Sequence, residues 1–129
     1  MKVGAASLLD GEGRLLPGGP DTALGALFES LATLTVRVCA QAVEASTSHL
    51  RTDRDEHEID LIVESHNGRT VGIEVKLTPT VNDKAVRHLH WLAEQQGSRI
   101  ADLAVITTGP HAYRRHDGIA VIPLGLLGP

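Results

Sequence analysis

The spacing of apolar residues changes along the chain, and each change predicts an element. From 22 to 45, Leu24, Leu27, Phe28, Leu31, Leu34, Val38 and Ala42 recur every three or four residues, which predicts a long helix with Asp21 or Thr22 capping its first turn. The stretch STSHLRT, 46–52, mixes β-branched and polar residues and predicts a short strand, followed by the charged turn DRDEH. Next come two runs of regular alternation, Ile59, Leu61 and Val63 within 58–65, then Val71, Ile73, Val75 and Leu77 within 70–77. Successive strand side chains point to opposite faces, so both runs predict half-buried strands of a hairpin closed by His66-Asn67-Gly68. A second helix is predicted over 82–96, capped by Asn82 and stopped near Gly97. ADLAVITT, 101–108, reads as a buried strand, 109–118 as a turn-rich connection, and IAVIPL, 119–124, as a last strand with Pro123 near its end. The order is α-β-β-β-α-β-β, an α/β domain over 21–129 preceded by a flexible arm, 1–20, with five glycines and two prolines.

The hairpin loop decides where the charges fall. A two-residue Asn67-Gly68 turn would set Asp60 and Glu74 on opposite sides of the sheet and mix apolar with charged residues on each. A three-residue loop with Gly68 in the left-handed region pairs Ser65 with Arg69 and keeps Leu61, Val63, Ile73 and Val75 together, so burial favours it. Asp60 then lies across from Glu74, with Cβ atoms ~5 Å apart, and Lys76 stands one pleat away on the same face. Two close carboxylates repel unless a cation sits between them, and such a pair suits Mg²⁺ or Mn²⁺, which keep several waters. The same pattern also fits an ordinary solvated face in which Glu58, Asp60, Glu74 and Lys76 make cross-strand ion pairs, each worth under ~1 kcal/mol.

Composition narrows the classes. A chain of 129 residues with 42% apolar and 22% charged positions suits one domain. With aromatics at 2%, aliphatic residues must fill the core. The single Cys39 forms no internal disulfide, no basic stretch precedes an apolar run of signal length, and no stretch approaches the ~20 apolar residues of a membrane span, which predicts a cytoplasmic protein. A net charge of −4 weighs mildly against a dedicated nucleic-acid binder, although arginine outnumbers lysine nine to three. The seven histidines are scattered without cysteine partners, against a structural zinc site. His88 and His90, two apart on the predicted helix, do not face one way, and Trp91 reads as core or interface.

EIDLIVE followed by IEVK resembles the PD-(D/E)XK nuclease superfamily, in which an Asp on one strand and Glu-x-Lys on its neighbour bind metal and orient water. More narrowly, LGALFESLATLTVRVCAQA, RTDRDEHEIDLIVE, GIEVKLTPTVND, HLHWLAEQ and AVIPLGLLGP together are similar to the uncharacterised C-terminal domain found behind AAA-type ATPase modules in bacteria and archaea. The resemblance covers about residues 20 to 129 and implies a restriction-endonuclease-like core with a mixed central sheet flanked by helices. It implies Asp60 and Glu74 as metal ligands for Mg²⁺ or Mn²⁺, Lys76 as the catalytic lysine, and Glu29 as a further acidic member, which otherwise reads as a helix-surface carboxylate. Ile59 stands where the superfamily's name-giving Pro would be, His57 and Glu58 replace a usual turn glycine, and no G-x-x-x-x-G-K-[ST] phosphate loop is present. Arg51, Arg54, Arg114 and Arg115 are candidates to touch nucleic-acid phosphate, or solvated loop charges. Two functions are thus expected: metal-dependent hydrolysis of DNA, or a non-catalytic accessory or oligomerisation domain, with a separate ATPase or further copies of the chain as partners.

Overall fold

The longest helix, α1 (Gly19–Ala42), lies three residues earlier at each end than the apolar spacing predicts. The structure, a computed structural model, describes residues 19–54 and 56–127. The expected arm therefore falls outside the described residues except for Gly19 and Pro20, which open α1. The helix stops because Glu44 takes φ 58°, in the left-handed region, and the Ala45 N–H returns to the Ala40 carbonyl.

Its sheet-facing side is not the predicted leucine stripe. Ala32, Val36 and Ala40 are buried, and Phe28 packs beside them, whereas Leu24, Leu34 and Val38 are 45%, 39% and 49% exposed. Small side chains every four residues let the helix axis lie close to the strands. By length and composition the segment Ala23–Ala42 is apolar enough to cross a membrane, which corrects the expectation that no stretch comes near a span. Here that segment buries its small-residue side against the sheet.

The sheet has six strands, β1 (Ser46–Arg51), β2 (Glu58–Glu64), β3 (Thr70–Val75), β4 (Ile100–Thr107), β5 (Tyr113–Arg114) and β6 (Ala120–Pro123), in the order β1-β2-β3-β4-β6-β5. β1, β2 and β3 pair antiparallel, β3, β4 and β6 parallel, and β5 closes the edge antiparallel to β6. The α/β class with a mixed sheet is as expected, and the two-residue β5 inside the turn-rich connection is an addition to the predicted order. Asn82 caps as expected, its Oδ1 accepting the Ala85 N–H at 2.9 Å, but the first turn, Asp83–Val86, is 3₁₀ and leads into α2 (Arg87–Gln96). Gly97, at φ 56°, ends it.

The helices cover opposite faces. Leu61, Ile73, Val75, Ala104, Ile106 and Ala120 pack under α1. Val86, Leu89 and Leu92 of the other layer pack on Ile59, Val105, Ile119 and Val121. α2 comes so close that a Cβ on Gly72 would lie 2.7 Å from Leu92 Cδ2, which is the packing reason for a glycine in mid-strand.

Ile59 and Leu61, expected on one face, belong to different layers. The cause is a bulge: between the pairs Ser48↔Ile62 and Leu50↔Ile59, the single His49 faces both Asp60 and Leu61. The extra residue reverses the facing of β2 at Asp60.

Candidate functional site

The hairpin loop is the three-residue form. The Ser65 N–H bonds the Arg69 carbonyl at 2.9 Å and Gly68 sits at φ 84°. The register from Glu64↔Thr70 to Leu61↔Ile73 points the next pairing at Asp60 and Glu74. There the ladder ends. The Val75 N–H instead donates to Asp60 Oδ2 at 2.8 Å, so a side chain replaces the backbone acceptor as β2 bends away at its bulge. β3 keeps its other neighbour, since the Lys76 N–H bonds the Ile106 carbonyl at 2.9 Å.

Glu74 is 3% exposed, which sets aside the solvated-face alternative for this residue. Its Oε1 is buried without a hydrogen-bond partner, and its Oε2 lies 3.9 Å from Lys76 Nζ. Burial, then the Asp60 charge and a hydrogen bond with Asp60, push the Glu74 carboxyl up to about 9 against only a partial offset from Lys76. Burial and the neighbouring Asp60 charge thus favour the protonated form of Glu74 at neutral pH, as a like charge close by does unless a cation offsets it.

Glu29, exposed on α1 but in line with the buried Ala32, Val36 and Ala40, is within electrostatic reach, its carboxyl raised by burial and then by Asp60, with Lys76 opposing. It does not complete a cage: among the described residues no three His, Cys, Asp or Glu side chains gather closely enough to hold a metal ion. The donor set is thus two carboxylates, which fits Mg²⁺ or Mn²⁺ with most coordination left to water and fits zinc poorly.

The arginines separate. Arg51 pairs with Glu58 at 3.1 Å on the surface, and Arg54 lies exposed in the following turn. Arg114 grips Asp102 through two nitrogens at 2.9 and 2.8 Å and also bonds the Gly118 carbonyl. Arg115, with a side chain 7% exposed, binds Asp83, Asp117 and the Val81 carbonyl. It fastens the 109–118 connection to the turn before α2, which corrects its reading as a loop charge open to phosphate.

Lys84 and Arg87 escaped notice in the sequence, and His88 was weighed only as a partner of His90. The three line a cleft with Lys76 and Asn82. Their spacing of three and four was the available signal, because it puts them on one side of a helical turn. His90 turns to Asp117 at 2.9 Å while His88 meets His57, so the two histidines do point apart.

Carboxylates at a broken hairpin ladder in a mixed sheet define an α/β domain with an acidic site at the strand ends. The chain belongs to the family described as Domain of unknown function (DUF4143), whose model matches residues 24–127 and so spans α1, the whole sheet and the cleft. No curated protein matches it.

Proposed function

We propose that the domain is a metal-dependent hydrolase of DNA phosphodiester bonds, related to the PD-(D/E)XK nucleases and acting in the cytoplasm. The observation that carries this reading is the buried Glu74 carboxyl beside the half-buried Asp60: its Oε1 has no hydrogen-bond partner and its Oε2 lies 3.9 Å from Lys76 Nζ. Burying a carboxyl with an unsatisfied oxygen beside another carboxylate costs stability, and such strongly perturbed groups cluster where a ligand is bound. Mg²⁺ or Mn²⁺ would be held by Asp60 and Glu74, and when bound supplies a more acidic water and neutralises phosphate charge. The chain's own groups do the rest. The Val75 N–H fixes the Asp60 carboxylate, the parallel pairing of β3 with β4 fixes Glu74, and the Lys76 ammonium faces the charge that develops on the phosphate. Glu29 contributes field rather than a ligand.

Calorimetric titration with Mn²⁺ tests this directly. Weak binding in wild type and none in Asp60→Ala is expected, together with metal-dependent cleavage of single-stranded, duplex or branched DNA. No heat at millimolar Mn²⁺, or heat unchanged in Asp60→Ala, overturns it. Lys76→Arg should keep the melting temperature within a few degrees yet abolish cleavage, since arginine keeps the charge but is larger and does not deprotonate.

One observation favours a second reading, a non-catalytic accessory or oligomerisation domain that binds an AAA-type ATPase or a further copy of the chain. The outer side of α1 carries Leu24, Leu34 and Val38, and Leu77 lies near its Leu24 end, all exposed. Sedimentation of the isolated chain as a monomer, and no association with the ATPase, would remove it.

A further inference from the structure

Next to the carboxylate pair lies a cleft of opposite character. Lys76, Asn82, Lys84, Ala85, Arg87 and His88 line about 290 Å³, with no Asp or Glu among them. Lys76 belongs to both places, since its Nζ lies 3.9 Å from Glu74 Oε2. Three arginines elsewhere are paired with carboxylates: Arg51 meets Glu58, Arg114 meets Asp102, and Arg115 meets Asp83 and Asp117. Among the described residues Lys84 and Arg87 make no ion pair with a carboxylate. Asp83, the acid adjacent to Lys84 in sequence, is already taken by Arg115.

Arg87 is nevertheless held in place. Its Nε–H donates to His88 Nε2 at 3.4 Å, which assigns the His88 proton to Nδ1, facing His57 Nδ1 at 3.3 Å. His57 stacks flat on Trp91, ring centroids 4.1 Å apart. Burial, then the charge of Arg87, lowers the His88 pKa, which favours the neutral ring that can accept from the guanidinium. A stacked tryptophan, two imidazoles and an arginine thus form one wall, and the charge it presents has no carboxylate partner among the described residues.

Three cations around one cleft repel each other until an anion enters, and guanidinium with ammonium groups suits phosphate oxygens. We propose that this cleft binds a backbone phosphate of the nucleic acid whose neighbouring linkage lies at Asp60 and Glu74. The assignment rests on the reading above for the neighbouring linkage, while phosphate binding in the cleft stands on its own lining. Lys84 and Arg87 position the strand, and Lys76 is shared between the two phosphates.

Fluorescence anisotropy of labelled single-stranded and duplex oligonucleotides, as DNA and as RNA, in EDTA, tests the proposal without any metal. Lys84→Gln/Arg87→Gln is expected to weaken binding at least ~10-fold and to reduce the slope of log K against log salt by about two. Arg99→Gln, in the 3₁₀ turn that follows α2, is the control for lost charge and should change binding under ~3-fold. Far-ultraviolet melts establish that each variant is folded, and Lys84→Gln alone, with a slope change of about one, covers a double variant that does not fold. Equal binding by wild type and variant, a loss no larger than that of Arg99→Gln, or no salt-dependent binding by wild type to any oligonucleotide overturns the proposal. Asp60→Ala separates the two readings: oligonucleotide binding that survives in it, with no Mn²⁺ heat in wild type, keeps the phosphate cleft and sinks the hydrolase.

Discussion

Two groups of charges flank α2, and they are solved in opposite ways. Around the 109–118 connection, every charge has a partner: Arg115 with Asp83 and Asp117, Asp117 also with His90 and the Ile119 N–H, and Arg114 with Asp102. Burial pushes the Asp117 carboxyl up, but Arg115, the Ile119 N–H and His90 outweigh it and hold it at about 2. At the hairpin, burial again pushes a carboxyl up, and the Asp60 charge pushes the same way with more effect than Lys76 opposes, so Glu74 reaches about 9. Similar acids are thus driven apart by their neighbours. The satisfied cluster pins a loop, and the frustrated one is where a ligand has free energy to gain.

Breaking the satisfied cluster should have the largest effect. Arg115→Leu leaves Asp117, 14% exposed at its side chain, without its main partner, and should cost about 3–5 kcal/mol, read by urea unfolding. A loss under ~1 kcal/mol would make Arg115 a surface charge after all.

Acid should dissect the same cluster more gently. The Asp117 pKa is depressed from 3.8, so its contribution is complete above that ordinary value and is lost as pH falls toward about 2. About 2 kcal/mol should disappear across this window and not in Asp117→Asn, which lacks the titrating group.

Removing the frustrated acid should act in the reverse direction. The Glu74 pKa is raised from 4.5 to about 9, so wild-type stability is full below the lower value and declines as pH rises toward the upper one. Glu74→Gln should escape that decline and exceed wild type by at least ~1 kcal/mol at the alkaline end. A variant less stable than wild type throughout would mean that Glu74 is structural. Smallest of all, Lys84→Gln/Arg87→Gln should shift stability by within ~0.5 kcal/mol, since neither cation is paired with a carboxylate.

The hairpin loop and the approach of Asp60 to Glu74 were legible because burial of Leu61, Val63, Ile73 and Val75 selects one register, and Gly68 accepts the positive φ that register needs. The bulge was not. One extra residue leaves Ile59, Leu61 and Val63 alternating on paper while placing Ile59 under α2 and Leu61 under α1. The sheet-facing side of α1 was misread because large residues dominate an apolar count, whereas Ala32, Val36 and Ala40 make the closer contact. Lys84 and Arg87 went unnoticed for another reason: their chemistry depends on Lys76 and on which acids are already engaged, which only the tertiary arrangement fixes.

The central claim is that a cation takes the place of the proton that burial and the Asp60 charge favour on Glu74. Mn²⁺ titration calorimetry at neutral pH, in two buffers of different ionisation enthalpy, counts that proton. The account predicts release of about one proton per Mn²⁺ bound in wild type and none in Glu74→Gln. Binding with the same heat in both buffers, or binding that Glu74→Gln leaves unchanged, would contradict it.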